Sequence, residues 1–154
     1  MSDQPPLLSA EQQQTVRDVF ERIPFNIALG IELDEISIER VTMHLSMKEE
    51  LVGNFVLGIL HGGVIASLLD VAGGAMAMVG AMSKHRRNPE RAVQPARLGT
   101  IDLRIDYLRP GRGQRFTATA TLLRSGNKVA VVRSELHNEK GTLLAAGTGS
   151  YLCG

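Results

Sequence analysis

The sequence predicts an α+β fold in which a curved antiparallel β-sheet wraps one long central α-helix, with a short helix in front. Residues 64–82 form an apolar run in which Asp70 is the only charge, and a helix apolar on all sides reads as the buried axis of a domain. Between Thr100 and Leu152, four strand-like stretches follow one another, separated by turn-forming residues. No Gly-rich nucleotide loop follows a strand, so the main signal of a doubly wound parallel sheet is missing.

Ser9 with Gln12 three residues on has the form of a capping box, and Val16, Val19, Phe20 and Ile23 follow at helical spacing. An amphipathic first helix is therefore expected up to Pro24, with residues 1–8 in front of it flexible. Residues 25–29 make a short turn or helical stub, stopped by Gly30. Strands are expected at 31–38 and 41–47, and 53–58 reads as a loop leading into His61. After the long helix, residues 84–97 hold two prolines, five Lys/Arg and one acid with no period, which reads as a long basic loop. Residues 100–108 set Ile101, Leu103, Ile105 and Tyr107 against Thr100, Asp102, Arg104 and Asp106, the period of a half-buried strand. Strands at 114–123, 128–137 and 142–152 complete what reads as an antiparallel meander.

A single domain over 1–154 is long enough to bury a core without staples. Cys153 is the one cysteine and reads as a small packed side chain. No disulfide within the chain and no metal site are expected, and a reducing cytoplasm is the simplest compartment. The first ten residues lack the basic flank and apolar stretch of a signal peptide, which argues against secretion. Residues 59–82 are long enough to cross a bilayer, yet they contain His61, Asp70, Gly73, Gly74 and Gly80 and lack anchoring residues on the N-terminal side. No membrane span is expected there. The net charge of +1 is uneven: residues 1–50 carry ten acidic and four basic side chains, the rest six and thirteen. A basic second half favours an anionic partner. Without tryptophan or rings interleaved with a basic stripe, that partner reads as a small phosphorylated ligand, not nucleic acid.

Asp70 needs a reason to exist, because an ionised carboxylate in such a helix is costly unless it is paired or used. The string Ile59-Leu60-His61-Gly62-Gly63-Val64, with Asp70 nine positions after His61, resembles the helix-start signature of the hotdog-fold acyl-CoA thioesterases of the PaaI type. Pro24-Phe25-Asn26 to Leu29-Gly30 and Asp106-Tyr107-Leu108-Arg109-Pro110 are similar to the YigI branch, a group of cytoplasmic medium- to long-chain acyl-CoA thioesterases. The resemblance implies that the Gly62 N–H polarises the thioester carbonyl and that Asp70 is the nucleophile or the base that activates water. It further implies that His61 orients the oxyanion side and that Thr100 positions water or the carboxylate. Asn54 matches an upstream asparagine of the family, one residue further from the histidine than in the commoner pattern. No cofactor is implied beyond the coenzyme A of the acyl-CoA substrate.

A helix start offers free N–H donors and partial positive charge to a developing oxyanion, and Gly62 and Gly63 let a thioester approach the backbone. Nine residues of helix put Asp70 about 13 Å beyond His61 and close to half a turn round, so the two cannot face one pocket in one chain. A second copy packed antiparallel would bring them together, giving a homodimer or a dimer of dimers, with Gly73, Gly74, Ala75 and Ala77 allowing close approach. Arg109, Arg124 and Lys128, beside turns, are candidates for the CoA phosphates. Simpler readings stand beside these: Asp70 as a satisfied structural carboxylate, His61 as a cap, the glycines as an entry turn, the methionines as core filler. Competing functions are a non-catalytic acyl-CoA sensor or interaction domain, and a hotdog enoyl-CoA hydratase or dehydratase.

Overall fold

Ser9 caps the first helix, α1 (Ala10–Glu21), as its spacing predicts: its hydroxyl accepts the Gln12 N–H while the Gln12 side chain accepts the Ser9 N–H. The structure is a computed structural model that describes residues 8–85 and 93–154. Leu8, expected in a flexible stretch, is buried, and its carbonyl accepts the Gln13 side-chain amide; residues 1–7 lie outside the described residues. Helix α2 (Pro24–Leu29) has proline in its first turn and ends at Gly30, whose φ of 74° is the left-handed stop that glycine adopts without strain.

Strands β1 (Glu32–Ile36) and β2 (Val41–Ser46) follow as a hairpin. Where a plain loop is expected at 53–58, the chain makes a two-stranded ribbon, β3 (Val52–Asn54) with β4 (Ile59–Leu60). The ribbon exists because Gly53 lets the chain pass against His61, where a Cβ would stand 2.7 Å from the His61 Cα. Helix α3 (Gly62–His85) is longer than the apolar run and takes in Lys84 and His85 from the expected basic loop. Pro95–Arg97 form a 3-10 turn, and residues 86–92 lie outside the described residues.

The remaining strands are β5 (Gly99–Tyr107), β6 (Arg115–Ser125), β7 (Val129–Asn138) and β8 (Leu143–Leu152). The main sheet runs β1-β2-β6-β7-β8-β5, antiparallel throughout. The meander is therefore β6-β7-β8 only, because β5 pairs with β8 and not with β6. Seven residues, 108–114, link β5 to β6, more than a tight hairpin uses. Their hydrogen-bonding groups go elsewhere: Leu108 and Arg109 N–H to the Leu144 carbonyl, and the Gly111 carbonyl to the Leu60 N–H.

Helix α3 packs against β2, β5, β6, β7, β8 and α1. Leu68, Leu69, Ala72, Met76, Met78 and Val79 are fully buried with Met43, Leu45, Phe116 and Leu136, so the methionines are core. Its cover is incomplete along one stripe, where Gly63, Ala66, Ser67, Asp70, Val71 and Gly74 keep solvent access at the i, i+3, i+4, i+7 spacing of a single face. Ala75 and Ala77 are buried within the chain, and Gly73 packs on Tyr151. Those three serve packing inside one subunit, not a contact between copies. Cys153 is buried, and its burial raises the thiol above its ordinary range. Strand β5 departs from its expected half-burial: Ile101 and Tyr107 are each 55% exposed. It is an edge strand with a register shift between Thr100 and Asp102.

Candidate active site

The start of α3 is built by His61. Its carbonyl accepts the Val64 and Ile65 N–H groups, and its ring Nδ1 accepts the Gly63 N–H at 2.8 Å. The ring is thus a helix cap, and with Nδ1 occupied as acceptor the neutral imidazole carries its proton on Nε2, a donor left for another partner. Gly63 allows this fold-back, since a Cβ there would stand 3.0 Å from Nδ1. Among the described residues no acceptor meets the Gly62 N–H, the first orphan donor of the helix. The Tyr107 hydroxyl donates to the Gly62 carbonyl at 3.1 Å and its ring lies over the glycine.

An open groove of about 380 Å³ runs beside this helix start, with apolar walls from Ile59, Leu60, Ile65, Leu108 and Pro110, and includes Gly62, Tyr107 and Arg109. Arg109 is exposed and anchored by a bond to the Leu143 carbonyl at 2.8 Å. A larger groove of about 450 Å³ between α1 and α2 shares no lining residue with it.

Asp70 is half-buried on the open stripe, and its Oδ1 accepts the Thr100 hydroxyl at 2.8 Å. The fold brings these two together across 30 positions of sequence. Eight residues of helix separate Asp70 from Gly62, about 12 Å along the axis. The half-turn expected between His61 and Asp70 does not extend to the helix's first glycines: Gly62 lies about 80° round from Asp70, and Gly63, seven residues before Asp70, shares the open stripe with it. The axial distance alone keeps the donor and the carboxylate from one small reacting group in one subunit.

Other residues singled out from sequence divide by position. The Asn54 side-chain oxygen accepts the Val56 and Leu57 N–H groups at 3.1 and 3.2 Å and so caps the ribbon's turn. Arg124 and Lys128 are exposed at the opposite end of α3, where the Lys84 ammonium donates to the Ser125 carbonyl. One chain therefore does not gather Arg109 with Arg124 and Lys128. Among the described residues there is no cluster of three metal-ligating side chains. Tyr107 and Tyr151 are the site neighbours that sequence reading missed. Tyr107 carried a signal, its alternation in β5, but reads there as an apolar strand residue; Tyr151 carried none.

The Thioesterase superfamily profile matches residues 57–145. The chain is 48% identical over 152 residues to the medium/long-chain acyl-CoA thioesterase YigI of Escherichia coli K12, covering 96% of this chain and 98% of that one. A crystal structure from Shewanella oneidensis, described as related to the thioesterase superfamily, is 46% identical with a TM-score of 0.86, over 94% of this chain and 97% of that one. The Escherichia coli PaaI protein shares the fold at a TM-score of 0.78 and 21% identity, over 95% of both chains. A sheet curved around α3, the profile match and these relatives together place the chain in the thioesterase superfamily, as a hotdog-fold protein of the branch that holds YigI.

Proposed function

We propose that this protein hydrolyses medium- to long-chain fatty acyl-CoA to the free acid and coenzyme A, at sites each shared by two copies of the chain. The observation that carries the reading is Asp70, held by Thr100 on the open stripe of α3, with an unused N–H at Gly62 about 12 Å away on the same helix. Two such stripes packed antiparallel across a two-fold axis set the Asp70 of each copy against the His61-Gly62 end of the other. The edge strand β5, which leaves Ile101 and Tyr107 exposed, supports a homodimer, or a dimer of such dimers. The name borne by YigI supports the chain-length class.

In that site the Gly62 N–H, aided by the Nε2–H of His61, polarises the thioester carbonyl. Such a donor is worth roughly 3–4 kcal/mol once charge develops on oxygen. Asp70 either takes a proton from water as it adds to the carbonyl carbon or adds directly to form an anhydride that water cleaves. In both routes the C–S bond breaks and the sulfur leaves as coenzyme A, so no cofactor is needed. Gly63 leaves room for the substrate against the backbone, and Asn54 steadies the turn ahead of the helix start. Arg109 beside the groove, with Arg124 and Lys128 from the second copy, offers cations to the CoA phosphates. A cytoplasmic location, where CoA esters are made and used, goes with this reading.

The test is CoA release from short-, medium-, long-chain and aromatic acyl-CoAs by wild type and Asp70→Asn. Turnover should be highest on medium and long chains and fall by roughly 10²–10⁴-fold in the variant. Unchanged turnover in Asp70→Asn contradicts the role, and a long-lived unhydrolysed acyl-CoA complex with wild type points to a binding module instead.

A further inference from the structure

Tyr151 is a buried polar group that this mechanism leaves unused. It is 2% exposed, and its hydroxyl has no hydrogen-bond partner among the described residues. A buried, unpaired O–H costs free energy that a phenylalanine of the same shape avoids. Yet the fold is fitted closely around this hydroxyl: a Cβ would stand 2.1 Å from Tyr151 Oη at Gly73 and 2.8 Å from it at Gly149. Gly73 follows Asp70 by three residues on α3, the spacing of helix-surface neighbours, so the hydroxyl lies beside the carboxylate. Tyr151 is also the strand partner of Thr100, the residue that donates to Asp70 Oδ1. Thr100 is exposed and Tyr151 is buried, so the two hydroxyls flank one carboxylate from its open and its closed side.

We propose that Tyr151 is a positioning residue for Asp70, its O–H serving, directly or through one water, as the second donor to the carboxylate that Thr100 already holds. Two donors fix the carboxylate plane and hold its remaining lone pairs toward the reacting group. Burial, and next the charge of Asp70, push the phenol's ionisation well above its ordinary range, so it remains a donor throughout the working pH. Asp102 on β5 is the other charge that reaches it, and its carboxylate accepts the Ser150 N–H. The proposal rests on the reading of Asp70 as base or nucleophile.

Two measurements test it. Tyr151→Phe should keep its thermal stability and lower kcat by about 3–10-fold with KM unchanged, the split expected when a group acts on the transition state and not on substrate binding. An unchanged kcat, or a loss of kcat that only follows a loss of thermal stability, overturns the proposal. The second measurement is independent of turnover. The chain has two tyrosines, so in Tyr107→Phe protein carrying Cζ-labelled tyrosine the single resonance is Tyr151. That resonance should shift as acid is added through the carboxylate range, and the step should vanish in Asp70→Asn. A resonance flat in both proteins also overturns the proposal. If the step is present but Asp70→Asn retains full turnover, the contact stands and the catalytic reading beneath the proposal fails.

Discussion

Replacing Gly73 by alanine puts a methyl group where the Tyr151 ring already is. The added Cβ would stand 2.1 Å from Oη, 2.6 Å from Cζ and 2.9 Å from Cε2, against about 3.5–4.0 Å for ordinary carbon contacts. The ring already lies close over Gly149 on its own strand, where even one added Cβ would stand 2.8 to 3.0 Å from it, so it has little room to swing that way. Overpacking of this kind costs roughly 1–3 kcal/mol or more, while alanine regains about 1 kcal/mol of helix propensity over glycine. With the clash at the severe end, a net loss of about 2 kcal/mol is expected, equal to a fall in Tm of about 4–8 °C for a domain of this size. Gly74→Ala is the control for packing inside the chain: its Cβ would meet Phe20 at 3.7 Å and Tyr151 at 3.9 Å, ordinary contacts, so it should cost the fold less than Gly73→Ala does. Adding Tyr151→Leu to Gly73→Ala should recover stability that simple addition of the two effects does not allow, in a double-mutant cycle followed by urea unfolding. If Gly73→Ala is tolerated as well as Gly74→Ala, the close packing of β8 on α3 is not as described.

Thr100→Val removes the hydroxyl that donates to Asp70 at 2.8 Å. It should lower kcat with little change in KM; a kcat equal to that of wild type contradicts the role of the contact. Alkaline stability supplies another test, because burial holds the Tyr151 phenol above its ordinary value of 10.0 in the folded chain. The unfolded chain then releases its proton first, so stability present below pH 10 is lost above it, by up to ~1.4 kcal/mol per pH unit for this one group. Tyr151→Phe should flatten that part of the decline in urea unfolding series from pH 9 to pH 11, and an equal slope in both proteins refutes the burial argument.

Local chemistry was legible wherever it acts between near neighbours. The Ser9–Gln12 box, the stop at Gly30 and the apolar axis of α3 depend on residues within a turn or two, and the His61-Gly62-Gly63 motif carried its own resemblance. Pairing across the sheet was not legible, because β5 alternates just as well beside β6 as beside β8. Only the satisfaction of the 108–114 backbone by β4 and β8 decides between them. The same non-local choice hid Tyr151, which reaches α3 only because β8 lies next to β5. It also misassigned Gly73, whose missing side chain makes room for a ring 78 positions away. Asp70 was legible as an anomaly, and its partner Thr100 only through the family likeness.

The sharing of each site between two chains is tested by mixing two inactive variants, Asp70→Asn and Gly62→Pro. Proline at the first helical position removes the N–H without breaking the helix. After unfolding and refolding together, half of the dimers are mixed, and each mixed dimer holds one intact pair of Gly62 and Asp70 contributed by different chains, so about a quarter of wild-type activity should return. If mixed dimers form and no activity returns, each site lies within a single chain and the composite site is wrong.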